Sequence, residues 1–176
     1  MASELRVDKI IPTTGVPTGG GGGIVQVVQA STNTLAAVNT QTYTDTGLSA
    51  TITPRFSTSK IIVITNHQVY AVSDGNNDFY FGIRILRDST TIYTPVKDGS
   101  GPFDFGMQAY GASTTRVWYD RCITPQILDS PNTTSAVTYK TQCRTYSSTH
   151  NATVNFQYNG SGADGSSFIT LMEISA

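Results

Sequence analysis

The stretch Lys60-Ile61-Ile62-Val63-Ile64-Thr65-Asn66-His67-Gln68-Val69-Tyr70 decides the fold. Rich in β-branched residues and opening on an apolar run, it reads as a long strand near the middle of a sheet. Outward from it the same signal recurs. Upstream, residues 24–30 are apolar enough for a core strand. Residues 42–46 and 48–53 alternate on either side of Gly47, which reads as a bend or bulge, and Pro54 ends that pair. Downstream, residues 79–87 place Phe79, Phe81, Ile83 and Ile85 on one face, Asp88-Ser89 makes a turn before residues 91–94, and residues 103–110 align Phe103, Phe105, Met107 and Ala109. Further strands are expected at 115–123, 136–146, 152–158 and 167–174, separated by Gly-, Pro-, Asn- and Ser-rich turns. Such short, regular spacing without a helical pattern predicts an all-β antiparallel sandwich or barrel.

Alternation assigns the faces. Val117, Tyr119 and Ile123 oppose Trp118 and Cys122, while Val154, Phe156 and Tyr158 oppose Thr153, Asn155 and Gln157, which are expected on a wet face. The last strand differs, because Phe168, Met172 and Ile174 lie on one side and Ile169 and Leu171 on the other, so both sides are apolar. A strand of that kind is central to a two-layer core or buried against another subunit. These five residues are the candidate oligomer contacts.

The chain of 176 residues fits one domain plus a short appendage. Only 13% of residues are charged, the net charge is −1 and the basic residues are scattered, which argues against nucleic acid or an anionic membrane as partner. No apolar run approaches the roughly 18–20 residues that span a bilayer, and Met1 to Ile11 lacks the basic and apolar regions of a signal peptide. Cys122 and Cys143 are too few and too far apart for a metal site or a disulfide framework, and are expected to be buried free thiols.

Before residue 24 the pattern is different. Leu5, Val7 and Lys9 alternate with Arg6, Asp8 and Ile10, Pro12 blocks helical continuation, and Gly19, Gly20, Gly21, Gly22 and Gly23 form an unbroken hinge. Residues 1–23 therefore read as an extended attachment arm, with Leu5, Val7, Ile10 and Ile11 as its docking residues, and residues 24–176 as the head.

Catalytic and ligand motifs are absent from the pattern. The glycine run precedes a strand and no Gly-Lys-Ser/Thr follows it, so it is no phosphate loop. His67 and His150 stand without a placed nucleophile. Asp74, Asn76 and Asp78 mimic the first ligands of a calcium loop, but Phe79 and Ile85 occupy the positions that need Gly and Glu. The sequons at Asn132, Asn151 and Asn159 read as chance in a Thr-rich chain. Tyr70, Tyr80, Tyr93, Tyr110 and Trp118 have the composition of a sugar-stacking or interface set, with core packing the commoner role. No enzyme activity, cofactor or metal is expected.

Tyr43-Thr44-Asp45-Thr46-Gly47-Leu48-Ser49-Ala50-Thr51-Ile52-Thr53-Pro54 and the following Ser57-Thr58-Ser59-Lys60-Ile61-Ile62-Val63 resemble a domain of tail-fibre-like and virion structural proteins of marine and freshwater tailed bacteriophages, the cyanophage type. Ser3-Glu4-Leu5-Arg6-Val7-Asp8-Lys9-Ile10, Gln26-Val27-Val28-Gln29, Ile83-Arg84-Ile85-Leu86-Arg87-Asp88 and Ile169-Thr170-Leu171-Met172-Glu173-Ile174 look like the same group. The resemblance implies a jelly-roll-like sandwich, a homotrimer built into the virion in the host cytoplasm, and no catalytic residues. Its implied partners are other virion proteins, reached through the arm, and a host surface glycan or receptor. A capsid decoration or cement protein and, from another class, a secreted or surface carbohydrate-binding module are the alternatives.

Overall fold

In a computed structural model of the chain, the residues described are 23–73, 79–95, 107–109, 117–146, 148, 151–155 and 165–175. They form twelve strands: β1 (Ile24–Thr32), β2 (Ala36–Val38), β3 (Thr44–Ile52), β4 (Lys60–Ser73), β5 (Phe79–Arg87), β6 (Thr90–Tyr93), β7 (Met107–Ala109), β8 (Val117–Ile123), β9 (Gln126–Asp129), β10 (Val137–Thr145), β11 (Asn151–Val154) and β12 (Ser167–Ile174). All pairings among them are antiparallel. The arm residues Leu5, Val7, Ile10 and Ile11, glycines 19–22, the Asp74–Asp78 loop, Tyr110 and His150 lie outside the described residues.

Four ribbons are interrupted: β1 continues as β2, β6 as β7, β8 as β9, and β11 as β12, each pair lying along one neighbour or along consecutive halves of one ribbon. Counted this way there are eight ribbons. One sheet runs β1/β2, β11/β12, β4, β8/β9, and the other β3, β10, β5, β6/β7. In chain order these are ribbons 1-8-3-6 and 2-7-4-5, the jelly-roll arrangement of two packed Greek keys. The fold is therefore an all-β, jelly-roll-like antiparallel sandwich.

The stretch Lys60–Tyr70 is central, as expected: β4 pairs with β12 and β11 along one edge and with β9 and β8 along the other. Gly47 takes φ +81° inside β3, where the register against β10 slips between Ser49 and Asp45. It is a bulge within one strand, and the left-handed φ explains the glycine. The short β2 and β9 had no sequence expectation, since three or four residues carry too little periodicity.

Inner side chains pack in two apolar clusters. One contains Leu48, Ile52, Ile61, Val63, Tyr139, Ile169 and Leu171; the other contains Val38, Val69, Phe81, Ile83, Cys143 and Val154. Between Val63 and Val69 the inner face of β4 carries Thr65 and His67, and between Tyr139 and Cys143 that of β10 carries Thr141, all fully buried. A polar belt thus divides the core.

The belt lies where the ribbons break. Thr65 donates to the Pro125 carbonyl through its N–H (3.1 Å) and its hydroxyl (3.0 Å), spanning the gap between β8 and β9. Past the end of β11, the Asn155 N–H donates to Gln68 O (2.8 Å), and its amide donates to Thr34 O (2.7 Å) and Thr46 O (2.9 Å). Asn155 was expected on a wet face; instead it leaves the strand at φ 62° and is fully buried. Its side chain supplies what the interrupted ladder cannot. The two sheets are also tied at their edge, where Asp129 accepts from Arg87 (2.9 and 2.7 Å) and from the Tyr139 hydroxyl (2.7 Å).

Two measurements check this belt. Asn155→Ala removes two side-chain hydrogen bonds, one of them to the buried Thr46 carbonyl, from a residue in a left-handed backbone, so urea unfolding should show a loss of about 2–3 kcal/mol. His67 has no partner for either ring nitrogen among the described residues, and burial lowers its pKa from 6.5 to about 4. Between those values the unfolded chain binds a proton that the native chain refuses, so stability falls as pH drops, by roughly 3 kcal/mol in all. His67→Leu should flatten that part of the pH profile, and an unchanged profile would count against the account.

Candidate functional site

The two outer faces of the sandwich have opposite chemistry. On the smaller sheet, the Lys140 ammonium donates to Asp45 Oδ2 (3.1 Å), and the Gln142 amide donates to Asp45 Oδ1 (2.6 Å). Arg84 donates twice to Gln142 Oε1 (2.8 and 2.5 Å), and both Arg84 and Arg144 stack over the Tyr43 ring at 4.3 and 4.8 Å. Partial burial would raise the Asp45 pKa, but Gln142, Lys140 and Arg84 together hold it below the usual carboxylate range. This is a face arranged for water.

The larger sheet presents the reverse. Its register aligns Val27 with Met172, Met172 with Ile62 and Ile62 with Leu128, an apolar row crossing four strands. At the ends of the same strands, Ile24 pairs with Ile174 and Ile174 with Lys60. The next row inward contains Gln29, Thr170, Ile64 and Gln126. Lys60 is the one ionisable side chain among these positions. Ile24, Val27, Leu128 and Phe168 remain 61%, 54%, 53% and 41% exposed, far more than core residues of these types. Large apolar side chains left exposed side by side, rather than scattered singly, are what marks an interaction surface.

The five candidate oligomer contacts are split by the sandwich. Ile169 and Leu171 are fully buried in the core and cannot reach another subunit, whereas Phe168, Met172 and Ile174 lie on the outer face. The two-layer core accounts for the inner side, Ile169 and Leu171, while Phe168, Met172 and Ile174 face away from it. Ile24, Val27, Ile62 and Leu128 were missed, although the apolar runs containing Val27 and Ile62 carry the same two-sided signal. What was illegible was their alignment, which only strand pairing creates.

The position of this face is set by a carboxylate clamp. Glu173 is fully buried and accepts from Gln26 Nε2 (2.6 Å) and from the N–H groups of Arg55 (2.8 Å) and Phe56 (3.4 Å). Gln26 also donates to Thr53 O (2.7 Å), so one side chain joins β1 to the segment leaving β3. Gly23, expected to be the last hinge residue, is already tied down, its carbonyl accepting from Ser175 N at 3.1 Å. The entry of the chain into β1 is therefore fixed beside Ile24 and Ile174.

Other candidates fare differently. Cys143 is buried, with burial first raising its thiol to about 12, but Cys122 is exposed and donates to Asn66 Oδ1 at 2.7 Å, which corrects the expectation of two buried thiols. Tyr80 is buried and meets Tyr146 edge to face at 5.5 Å, while Tyr70 and Tyr93 are half-buried. No exposed aromatic platform forms from these three. A cleft of about 210 Å³ is lined by Ile83, Tyr93, Pro95, Ile123, Thr124 and Pro125, with no titratable group except the tyrosine. Among the described residues there is no cluster of three metal-ligating side chains and no helix long and apolar enough to cross a membrane.

No protein-family model matches the chain, and no curated protein matches it. Among solved structures, a crystal structure of the infectious bursal disease virus particle is similar over 93% of this chain and 41% of that one, at 11% identity and TM-score 0.40. A structure of the Gx strain of the same virus is similar over 94% and 42%, at 14% identity and TM-score 0.40. The chain spans about two fifths of the length of either.

The clamp yields a prediction for stability. Burial alone would raise the Glu173 pKa, but hydrogen bonds from Gln26 and from the Arg55 and Phe56 N–H groups help to outweigh it, and the carboxyl is held below its usual value of 4.5. The stability it adds is therefore present above that value and is lost as pH falls through the lowered one. Glu173→Gln turns an amide N–H toward donors and should cost about 2 kcal/mol at neutral pH in chemical denaturation, with the acid-side loss diminished.

Proposed function

We propose that this chain is a non-enzymatic structural protein of a tailed-phage virion. The head forms a homotrimeric appendage of tail-fibre or tip type, and residues 1–23 dock it to the particle. The observation that carries the reading is the contrast between the two outer faces, one networked for solvent and one crossed by the apolar row Val27, Met172, Ile62 and Leu128. A monomer living free in water has no use for the second face, whereas a subunit packed among others does. Supporting it are the jelly-roll strand order, an architecture used by viral capsid domains among others, and the resemblance of the segments around Tyr43–Val63 to virion structural proteins. Three arms on one trimer would hold it more tightly than one, because the second and third attachments are intramolecular.

A tagged chain expressed during phage assembly tests this. Val27→Lys with Leu128→Glu should reduce incorporation into particles by about tenfold or more while changing unfolding free energy by no more than about 1 kcal/mol. Heads released from particles should give a three-chain mass in native mass spectrometry. Normal incorporation of the double variant would overturn the role of the face, and a single-chain mass would remove the trimer.

A further inference from the structure

β1 is an edge strand. It pairs with β12 along one side, and among the described residues no strand pairs with the other. The open side of an edge strand is a row of unpaired N–H and C=O groups, and folds blunt such rows with short strands, charges, proline or bulges. Every other edge strand described carries one of these devices. β2, β6, β7 and β9 are three or four residues long, β8 includes Asp120 and Arg121, and β3 is bulged at Gly47 and presents the exposed Asp45.

β1 lacks them over most of its length. Its nine residues, IVQVVQAST, include no charge, proline or glycine. The one irregularity lies between Ile24 and Gln26, and from Gln26 to Thr32 the strand keeps unbroken register with β12. A regular, neutral edge rich in β-branched residues is a template for another strand.

We propose that this edge pairs antiparallel with β1 of a second copy about a two-fold axis at Gln29, joining the two larger sheets into one. The regular stretch sets the register, because Gln29 is the midpoint of Gln26 to Thr32. Val27 then faces Ser31 of the second copy, Val28 faces Ala30, and Gln29 faces its own image. The strand is complementary to itself, since no like charges meet and the exposed Gln29 amide, which donates to Thr170 Oγ1 at 3.0 Å, offers both donors and an acceptor to its counterpart. A two-fold contact also uses the edge on both partners and so closes, whereas pairing with unrelated strands leaves the same edge open to all comers. Such a pair makes roughly six to eight main-chain hydrogen bonds, within the range of about ten, give or take five, found in standard interfaces. The axis stands perpendicular to the joined sheet, so both apolar rows lie on one side of it. Being two-fold, the contact joins chains of separate trimers, and it stands on the strand edge alone rather than on the function proposed above.

Disulfide trapping of the full-length chain tests this. In a Cys122→Ser background, Gln29→Cys places two thiols directly opposite one another, with about 5 Å between Cβ atoms. Val27→Cys, on the same outer face, places them roughly 14 Å apart, and buried Cys143 stays unreactive as long as the chain is folded. Under mild oxidation at tens of micromolar protein, Gln29→Cys should form a two-chain species faster than Val27→Cys by about tenfold or more. Equal rates, a faster Val27→Cys or no two-chain species overturns the proposal. Hydrogen exchange on the unmodified chain provides a second measurement should Gln29→Cys disturb folding. At hundreds of micromolar protein, the β1 amides directed away from β12 should exchange about tenfold or more slower than open loop amides, and exchange at the open rate overturns the pairing. Both measurements are made on the free chain, so their outcome is separate from that of particle incorporation.

Discussion

The sandwich depends on how one continuous strand tolerates broken neighbours. β4 runs unbroken from Lys60 to Ser73, but the ribbons on both sides of it are interrupted near Thr65 to Gln68. Buried backbone groups without partners cost about as much as a lost hydrogen bond each, so interruptions inside a sheet need replacements. Thr65 supplies one side and Asn155 the other. Thr65, which closes the ladder on one side, lies in the belt between the two apolar clusters, which is why a polar residue sits mid-strand on an otherwise apolar inner face; His67 beside it has no hydrogen-bond partner among the described residues.

That arrangement gives the fold an acid-sensitive middle. His67 resists protonation because burial opposes the charge, and Glu173 resists it because its carboxylate is saturated with donors. Both effects have the same sign, since in each case the unfolded chain takes up the proton more readily than the native one. Acid therefore acts on the belt and on the clamp together, and the clamp is what holds the β1 edge.

The chemistry of the outer faces links fold to function. Ion pairs at exposed sites contribute little to stability, so the Asp45, Lys140, Gln142 and Arg84 network is best understood as a surface adapted to water. The row from Val27 to Leu128 has no such adaptation. The edge strand β1 contributes Val27 to that row, and the carbonyl of Gly23 just before it is held by Ser175.

Much of this was legible in the residues alone. Period-two alternation identified the long strands, the position of Gly47 marked the bulge, and the apolar run at Ile61 to Ile64 located the central strand, because local sterics and burial dictate those features directly. The division at Gly19 to Gly23 into arm and head is an expectation from local chemistry, and residues 1–22 lie outside the described residues. The jelly-roll order, the burial of Asn155, the exposure of Cys122 and the split of Phe168, Met172 and Ile174 from Ile169 and Leu171 were decided by tertiary structure. Each depends on which strand lies beside which, and pairing between residues more than a hundred positions apart leaves no local trace. The apolar row exists only because four separate strands meet in one register.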